Sequence, residues 1–165
     1  MQKVIDFFNK LKISSQNIEE KYKIPYLFTI AQAALESGWG KSAIGENLFG
    51  IKAGKNWTGK KKLITTTEYL PNKNYKFPEI ISIVPQQSGK FKYVVKDWFR
   101  DYDNLEDCLY DHAKVILLPR YKAAFQYTDP YKFAVEIEKG GYATAPNYAK
   151  TINSVILTIK KYCST

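Results

Sequence analysis

"PYLFTIAQAALESGWGKSAIGENLFG", residues 25–50, runs as an apolar helix into a glycine-rich loop, and one carboxylate, Glu36, stands where the two meet. Pro25 suits a first helical turn, where its missing N–H costs nothing, and Gly38 and Gly40 supply the permissive backbone at which helices stop. Between these limits the segment is apolar nearly all round, the pattern of a helix enclosed in a core. Thr29, Gln32 and Glu36 are the exceptions, and at i, i+3 and i+7 they form one polar stripe. A carboxylate in the last turn meets the negative end of the helix dipole, and burial opposes its charge further, so its pKa is expected to rise. An acid still protonated near neutral pH can give a proton to a leaving sugar oxygen. The competing reading is a structural Glu, held ionised by hydrogen bonds from nearby loop N–H groups.

Upstream, Val4, Phe7, Phe8 and Leu11 recur at helical spacing and predict a short amphipathic helix, after which Ser14 and Ser15 offer a fresh N-cap for a polar helix through about Tyr22. Downstream, residues 43–60 read as loop. "LITTTEY" (63–69) then alternates as a strand, with Ile64, Thr66 and Glu68 on one face, and "EIISIV" and "KFKYVV" supply further strand-like runs. Helices resume at Asp103, whose spacing to Glu106 predicts a capping box. Asp129-Pro130 opens another helix closed by Gly140-Gly141, and the last helix carries Tyr148, Ile152, Val155, Ile156 and Ile159 on one face. The fold class expected is α+β, one domain over residues 1–165, mainly helical with a small antiparallel β-lobe.

Composition narrows the function classes. With 165 residues, 45% of them hydrophobic, the chain has enough apolar surface for a core without disulfides. A net charge of +9 attracts polyanions in general, but the densest basic run, Lys60-Lys61-Lys62, is short, and no nucleic-acid-binding signature accompanies it. Cys108 and Cys163 match no zinc spacing and read as structural thiols, with a single bridge between them left open. The one histidine, His112, lies at helical spacing from Leu105, Leu109 and Ile116 and reads as a partly buried, satisfied side chain. No metal site and no cofactor motif is read. No membrane-spanning run and no secretory leader is read either.

Glycoside hydrolysis ordinarily needs a second acid, and Glu68 is the candidate; Asp101 and Asp103 are its rivals. Four stretches in order, "AQAALESGWGKSAIGENLFGIKAG" (31–54), "TTTEY" (65–69), "WFRDYDNLEDCLYDHAKVI" (98–116) and "GGYATAPNYAKTI" (140–152), resemble the glucosaminidase family of bacterial cell-wall hydrolases, glycoside hydrolase family 73. The likeness runs from about residue 16 to 161. It implies a lysozyme-like fold with a cleft between a helical lobe and a β-lobe, and an endo-β-N-acetylglucosaminidase that cuts peptidoglycan glycan strands after N-acetylglucosamine.

By the same resemblance Glu36 is the catalytic acid and Glu68 the second carboxylate, Asn47, Phe49 and Gly50 wall the cleft beside the acid, and Tyr142 and Tyr148 hold the sugar. One departure stands out: Ala145 occupies the place of an Asp in the family's Y-A-T-D-P motif. The chain is expected to act at the bacterial cell wall, whether secreted, periplasmic or phage-delivered, as a monomer held partly by anionic wall polymers. The alternative is a carbohydrate-binding protein on the same fold with weakened turnover. Inverting, retaining and substrate-assisted mechanisms all remain open at this point.

Overall fold

The computed structural model describes residues 1–143 and 147–165. In chain order the elements are α1 (Gln2–Tyr22), α2 (Tyr26–Ser37), β1 (Lys61–Leu70), β2 (Glu79–Pro85), β3 (Phe91–Arg100), α3 (Leu105–Ile116), a 3₁₀ helix (Pro119–Gln126), α4 (Pro130–Lys139) and α5 (Tyr148–Tyr162). This is the expected α+β architecture, a helical lobe and a three-stranded β-lobe in the lysozyme-like manner.

Helix α2 is the axle of the helical lobe. Leu27, Phe28, Ile30, Ala31, Ala33 and Ala34 are all buried, and α1, α4 and α5 pack around them. Burying each of the larger side chains contributes about 2 kcal/mol of transfer free energy. Pro25 serves as the N-cap rather than in the first turn, and Gly38, at φ 57°, ends the helix in the left-handed conformation that a glycine adopts without a Cβ clash.

Two further local expectations are corrected. The N-terminal segment is one helix of 21 residues, not two, because Phe7, Phe8, Leu11, Ser15 and Ile18 all bury against the core and tertiary packing carries the helix through the serines. At the start of α3 the cap is Asn104, whose side chain accepts from the Asp107 N–H at 2.9 Å, and Asp103 lies outside the helix in an ion pair with Lys60. An Asn one residue later answers the same N–H need, which spacing to Glu106 could not distinguish. The caps of α4, Asp129 before it and Gly140 after it, stand as read. Cys108 and Cys163 are both free thiols.

In the β-lobe the strand order is β1-β3-β2, all antiparallel, with Thr66 opposite Val95 and Glu68 opposite Tyr93. Tyr93 and Val95 are buried, and Tyr75, edge-on, and Phe77, tilted, pack against Tyr93 to complete a small core of the lobe's own. The lobe is tied to the helices at the end of β3. There the Arg100 guanidinium donates to buried Asp111 on α3 at 2.6 Å and stacks on Trp57, and the Tyr102 hydroxyl donates to the same Asp111 oxygen at 2.7 Å. Among the described residues no helix is long and apolar enough to cross a membrane.

Candidate active site

Glu36 ends α2 with its side chain open to solvent, yet the protein around the carboxyl displaces enough water to raise its pKa above the ordinary carboxylate value. The loop N–H groups that could have held it ionised are spent elsewhere. Trp39 N–H donates to the Ala34 carbonyl at 2.8 Å, Gly40 N–H to Ser37 Oγ at 2.8 Å, and Ser42 N–H to the Ser37 carbonyl at 2.8 Å. Ser37, buried and one residue from the acid, thus folds the turn back on itself. Trp39 takes a left-handed φ of 60°, unusual for a residue with a Cβ, and its ring meets Phe7 edge-on at 5.7 Å. The turn is closed by its own bonds and leaves the carboxyl of Glu36 available.

Behind the acid the polar stripe becomes a buried network. Gln32 is fully enclosed and donates through Nε2 to the Tyr148 hydroxyl at 2.7 Å. Tyr148 packs at 5.5 Å from Tyr142, and Tyr142 meets His112 through Oη and Nε2 at 3.2 Å. Burial chiefly, and then the Glu36 carboxylate, raise the pKa of Tyr142. Burial also raises that of Tyr148, with Tyr142 and Glu36 adding to it and the Gln32 hydrogen bond opposing. Both tyrosines therefore stay protonated and lie within the electrostatic reach of Glu36. Thr29, the third member of the stripe, is buried and turns back to the Pro25 carbonyl.

The "NLFGIK" loop is organised by Asn47. Its amide Nδ2 donates to the Ile51 carbonyl at 3.0 Å and the Arg100 carbonyl at 2.9 Å, and its Oδ1 accepts from the N–H groups of Phe49 and Ile51 at 3.2 Å. Asn47 is 1% exposed, so its amide shapes the loop and fastens it to β3 rather than reaching outward. Phe49 lies flat on His112, with ring centroids 3.7 Å apart and planes 8° from parallel. Gly50, exposed at φ 60°, makes the turn that lets the loop leave. Leu48 N–H points at the Cys108 sulfur at 3.4 Å, and burial pushes that thiol's pKa up to about 12.

Glu68 sits on the more enclosed face of β1 with Ile64 and Thr66. Its carboxylate accepts from Lys52 Nζ at 2.7 Å, and the same ammonium pairs with Asp97 at 3.0 Å. Burial disfavours the Lys52 charge, but hydrogen bonds and charges from Glu68 and Asp97 outweigh it and raise the pKa of Lys52. Of the rival acids, Asp101 is held below the carboxylate range: burial opposes its charge, and the N–H groups of Glu46 and Tyr102 and the ammonium of Lys62 more than offset this. It is a poor proton donor. Asp103 is exposed and paired with Lys60. Ala145 lies outside the described residues.

Reading the sequence missed Glu138, on α4, whose two carboxylate oxygens accept from the Tyr148 and Ala149 N–H groups at 3.0 and 3.2 Å and so cap α5 just where Tyr148 enters the site. It also missed the contacts of His112. Neither depends on local spacing, since the pairs join residues 10 and 30 positions apart. Among the described residues no group of three or more His, Cys, Asp or Glu side chains could hold a metal ion.

The family model for mannosyl-glycoprotein endo-beta-N-acetylglucosaminidase matches residues 13–161. Peptidoglycan hydrolase FlgJ of Salmonella typhimurium is 35% identical over 163 residues, which is 94% of this chain and 46% of that protein, so the chain spans about half the length of the curated relatives it matches. Two solved structures share the fold. A C-terminally truncated glycoside hydrolase domain of Salmonella typhimurium FlgJ superposes with a TM-score of 0.74 at 33% identity, covering 96% of this chain and 98% of that one. A mutant peptidoglycan hydrolase from Sphingomonas sp. A1 does so with 0.73 at 35% identity, covering 94 and 96%. An acid left free by a self-satisfied turn, tyrosines within its field and a family match over most of the length converge: the chain belongs to the glucosaminidase family of glycoside hydrolases.

Proposed function

We propose that this chain cleaves the glycan strands of peptidoglycan after N-acetylglucosamine, with Glu36 as the general acid. The observation that carries the reading is the carboxyl of Glu36, raised in pKa by desolvation at the end of α2 while the neighbouring loop N–H groups bond elsewhere. A carboxyl raised in this way keeps its proton to higher pH than an ordinary carboxylate, and in its protonated form it gives that proton to the glycosidic oxygen as the bond to the leaving sugar breaks. Tyr142 and Tyr148 line the acid's surroundings with hydroxyls that stay protonated and can hold the N-acetyl sugar.

Glu68 supplies the second carboxylate. Anchored on the β-lobe by Lys52 at 2.7 Å, its carboxylate is suited to activating water or stabilising the oxocarbenium-like transition state. Asn47, Phe49 and Gly50 give the cleft wall its shape, Asn47 through backbone bonds. The fold works as a single monomeric domain at the bacterial cell wall, and its charge of +9 holds it to anionic wall polymers.

The test is release of reducing ends from purified peptidoglycan by the wild type and by Glu36→Gln, with fragment ends identified by mass spectrometry. N-acetylglucosamine at the new reducing end, and its loss in a folded Glu36→Gln protein, is the expected result. Binding without release by the wild type would replace this reading with a carbohydrate-binding role.

A further inference from the structure

Helix α3 sends two adjacent side chains to different partners. Asp111 takes the Arg100 and Tyr102 hydrogen bonds that fasten the β-lobe. His112, next along, is 2% exposed and uses both its face and its edge. The face lies on Phe49 at 3.7 Å, a closer and more parallel contact than any other ring pair among the described residues. The edge meets the Tyr142 hydroxyl at 3.2 Å, with the two rings 79° apart. One imidazole therefore touches the "NLFGIK" loop and the tyrosine segment at once, and neither partner is near it in sequence.

A ring that only filled space could be a phenylalanine. An imidazole is buried at a desolvation cost, which is offset here by the polar contact with Tyr142, and Tyr142 in turn lies within the field of Glu36. We propose that His112 is a positioning residue for hydrolysis: its Nε2–H donates to Tyr142 Oη and aims the tyrosine's own proton into the site beside Glu36, while its face fixes Phe49. This tautomer leaves the hydroxyl free to donate, whereas the other would consume the hydroxyl proton on the imidazole. Burial holds the pKa of His112 down to about 3, so the ring stays neutral where the enzyme works. The assignment rests on Glu36 being the acid.

The test is a double-mutant cycle on peptidoglycan hydrolysis. His112→Phe keeps a ring against Phe49 and deletes the hydrogen bond; Tyr142→Phe deletes it from the other side. His112→Phe is expected to lower kcat by roughly tenfold with KM little changed, Tyr142→Phe to lower kcat at least as much and also to raise KM through its lost contact with the sugar, and the double variant to lose no more than Tyr142→Phe alone. His112→Gln, whose amide can still donate, is expected to recover part of the loss. Wild-type kcat in His112→Phe, or losses that multiply in the double variant, would overturn the proposal.

A second measurement does not depend on how His112→Phe folds. His112 is the only histidine in the chain, so histidine-selective ¹⁵N labelling reports this ring alone. The wild type is expected to show a neutral ring protonated at Nε2, with that resonance displaced in Tyr142→Phe; protonation at Nδ1, or no displacement, refutes the hydrogen bond as assigned. Full activity in Glu36→Gln would instead defeat the acid assignment while the cycle and the resonance still report the His112–Tyr142 bond.

Discussion

Glu36 is the residue on which the proposed chemistry turns, and its surroundings fix the sign of two effects. A general acid works only while protonated, so kcat/KM is expected to fall as pH rises through the raised pKa of Glu36. Replacing it with Gln removes the transferable proton and is expected to lower kcat by about 10²- to 10⁴-fold, measured as reducing ends released per unit time. A carboxyl whose folded pKa lies above its unfolded value favours the native state at low pH and burdens it once ionised. Glu36→Gln is therefore expected to melt no lower than the wild type above neutral pH, by differential scanning calorimetry. A second single-residue effect concerns Lys52. Lys52→Met leaves Glu68 and Asp97 on neighbouring strands with no cation between them, and it is expected to reduce activity while costing stability only about 1 kcal/mol, because the pair is part-exposed.

Elements bring these residues together, and two junctions matter most. The N-terminus of α5 is held by the Glu138 carboxylate, so Glu138→Ala is expected to destabilise the protein by about 1 kcal/mol in urea titration and to lower activity through Tyr148. At the other junction Arg100 and Asp111 join β3 to α3. Asp111→Ala would leave the guanidinium and the Tyr102 hydroxyl without their shared acceptor, a loss expected at about 2–4 kcal/mol. The elements themselves were legible where the signal was local: the apolar run of α2 between Pro25 and Gly38, the alternation of β1, the Asp129 and Gly140 caps. The continuity of α1 was not, since Ser14 and Ser15 look like a cap until Ser15 and Ile18 are seen to be buried against distant helices. For the candidate site, the position of Glu36 and its polar stripe on α2 could be read from period and polarity alone. The roles of Asn47 and Glu138 could not, because each is defined by backbone groups that only the fold brings within reach.

For the molecule as a whole, charge and acid sensitivity are the properties open to test. Lys60 and Lys62 of the basic run are engaged with Asp103 and Asp101, and Lys61 lies over the Trp98 ring at 4.6 Å, which agrees with a run of individually partnered lysines rather than a nucleic-acid patch. Retention on intact walls is accordingly expected to come from the overall +9 and to weaken as salt is raised in a sedimentation assay. Acid acts through Asp101 and Asp111, whose carboxyls the fold holds low, and also through His112. Its folded pKa of about 3 lies below the 6.5 of a free histidine, so between these values the unfolded chain takes up a proton that the native protein refuses. Stability from this group is complete above pH 6.5 and declines as pH falls toward 3, by at most about 1.4 kcal/mol per unit, and the slope of unfolding free energy against pH is expected to flatten in His112→Phe.

The contact between Leu48 N–H and the Cys108 sulfur gives the molecule a built-in clock. Cys163, part-exposed near the C-terminus, offers itself to an alkylating reagent without any rearrangement, whereas Cys108 is sealed under the "NLFGIK" loop. Labelling should thus proceed in two phases, and the slow one counts how often that loop lifts from α3. A glycan strand bound in the cleft would lengthen the slow phase, so a reagent that never touches sugar could time the breathing of the site.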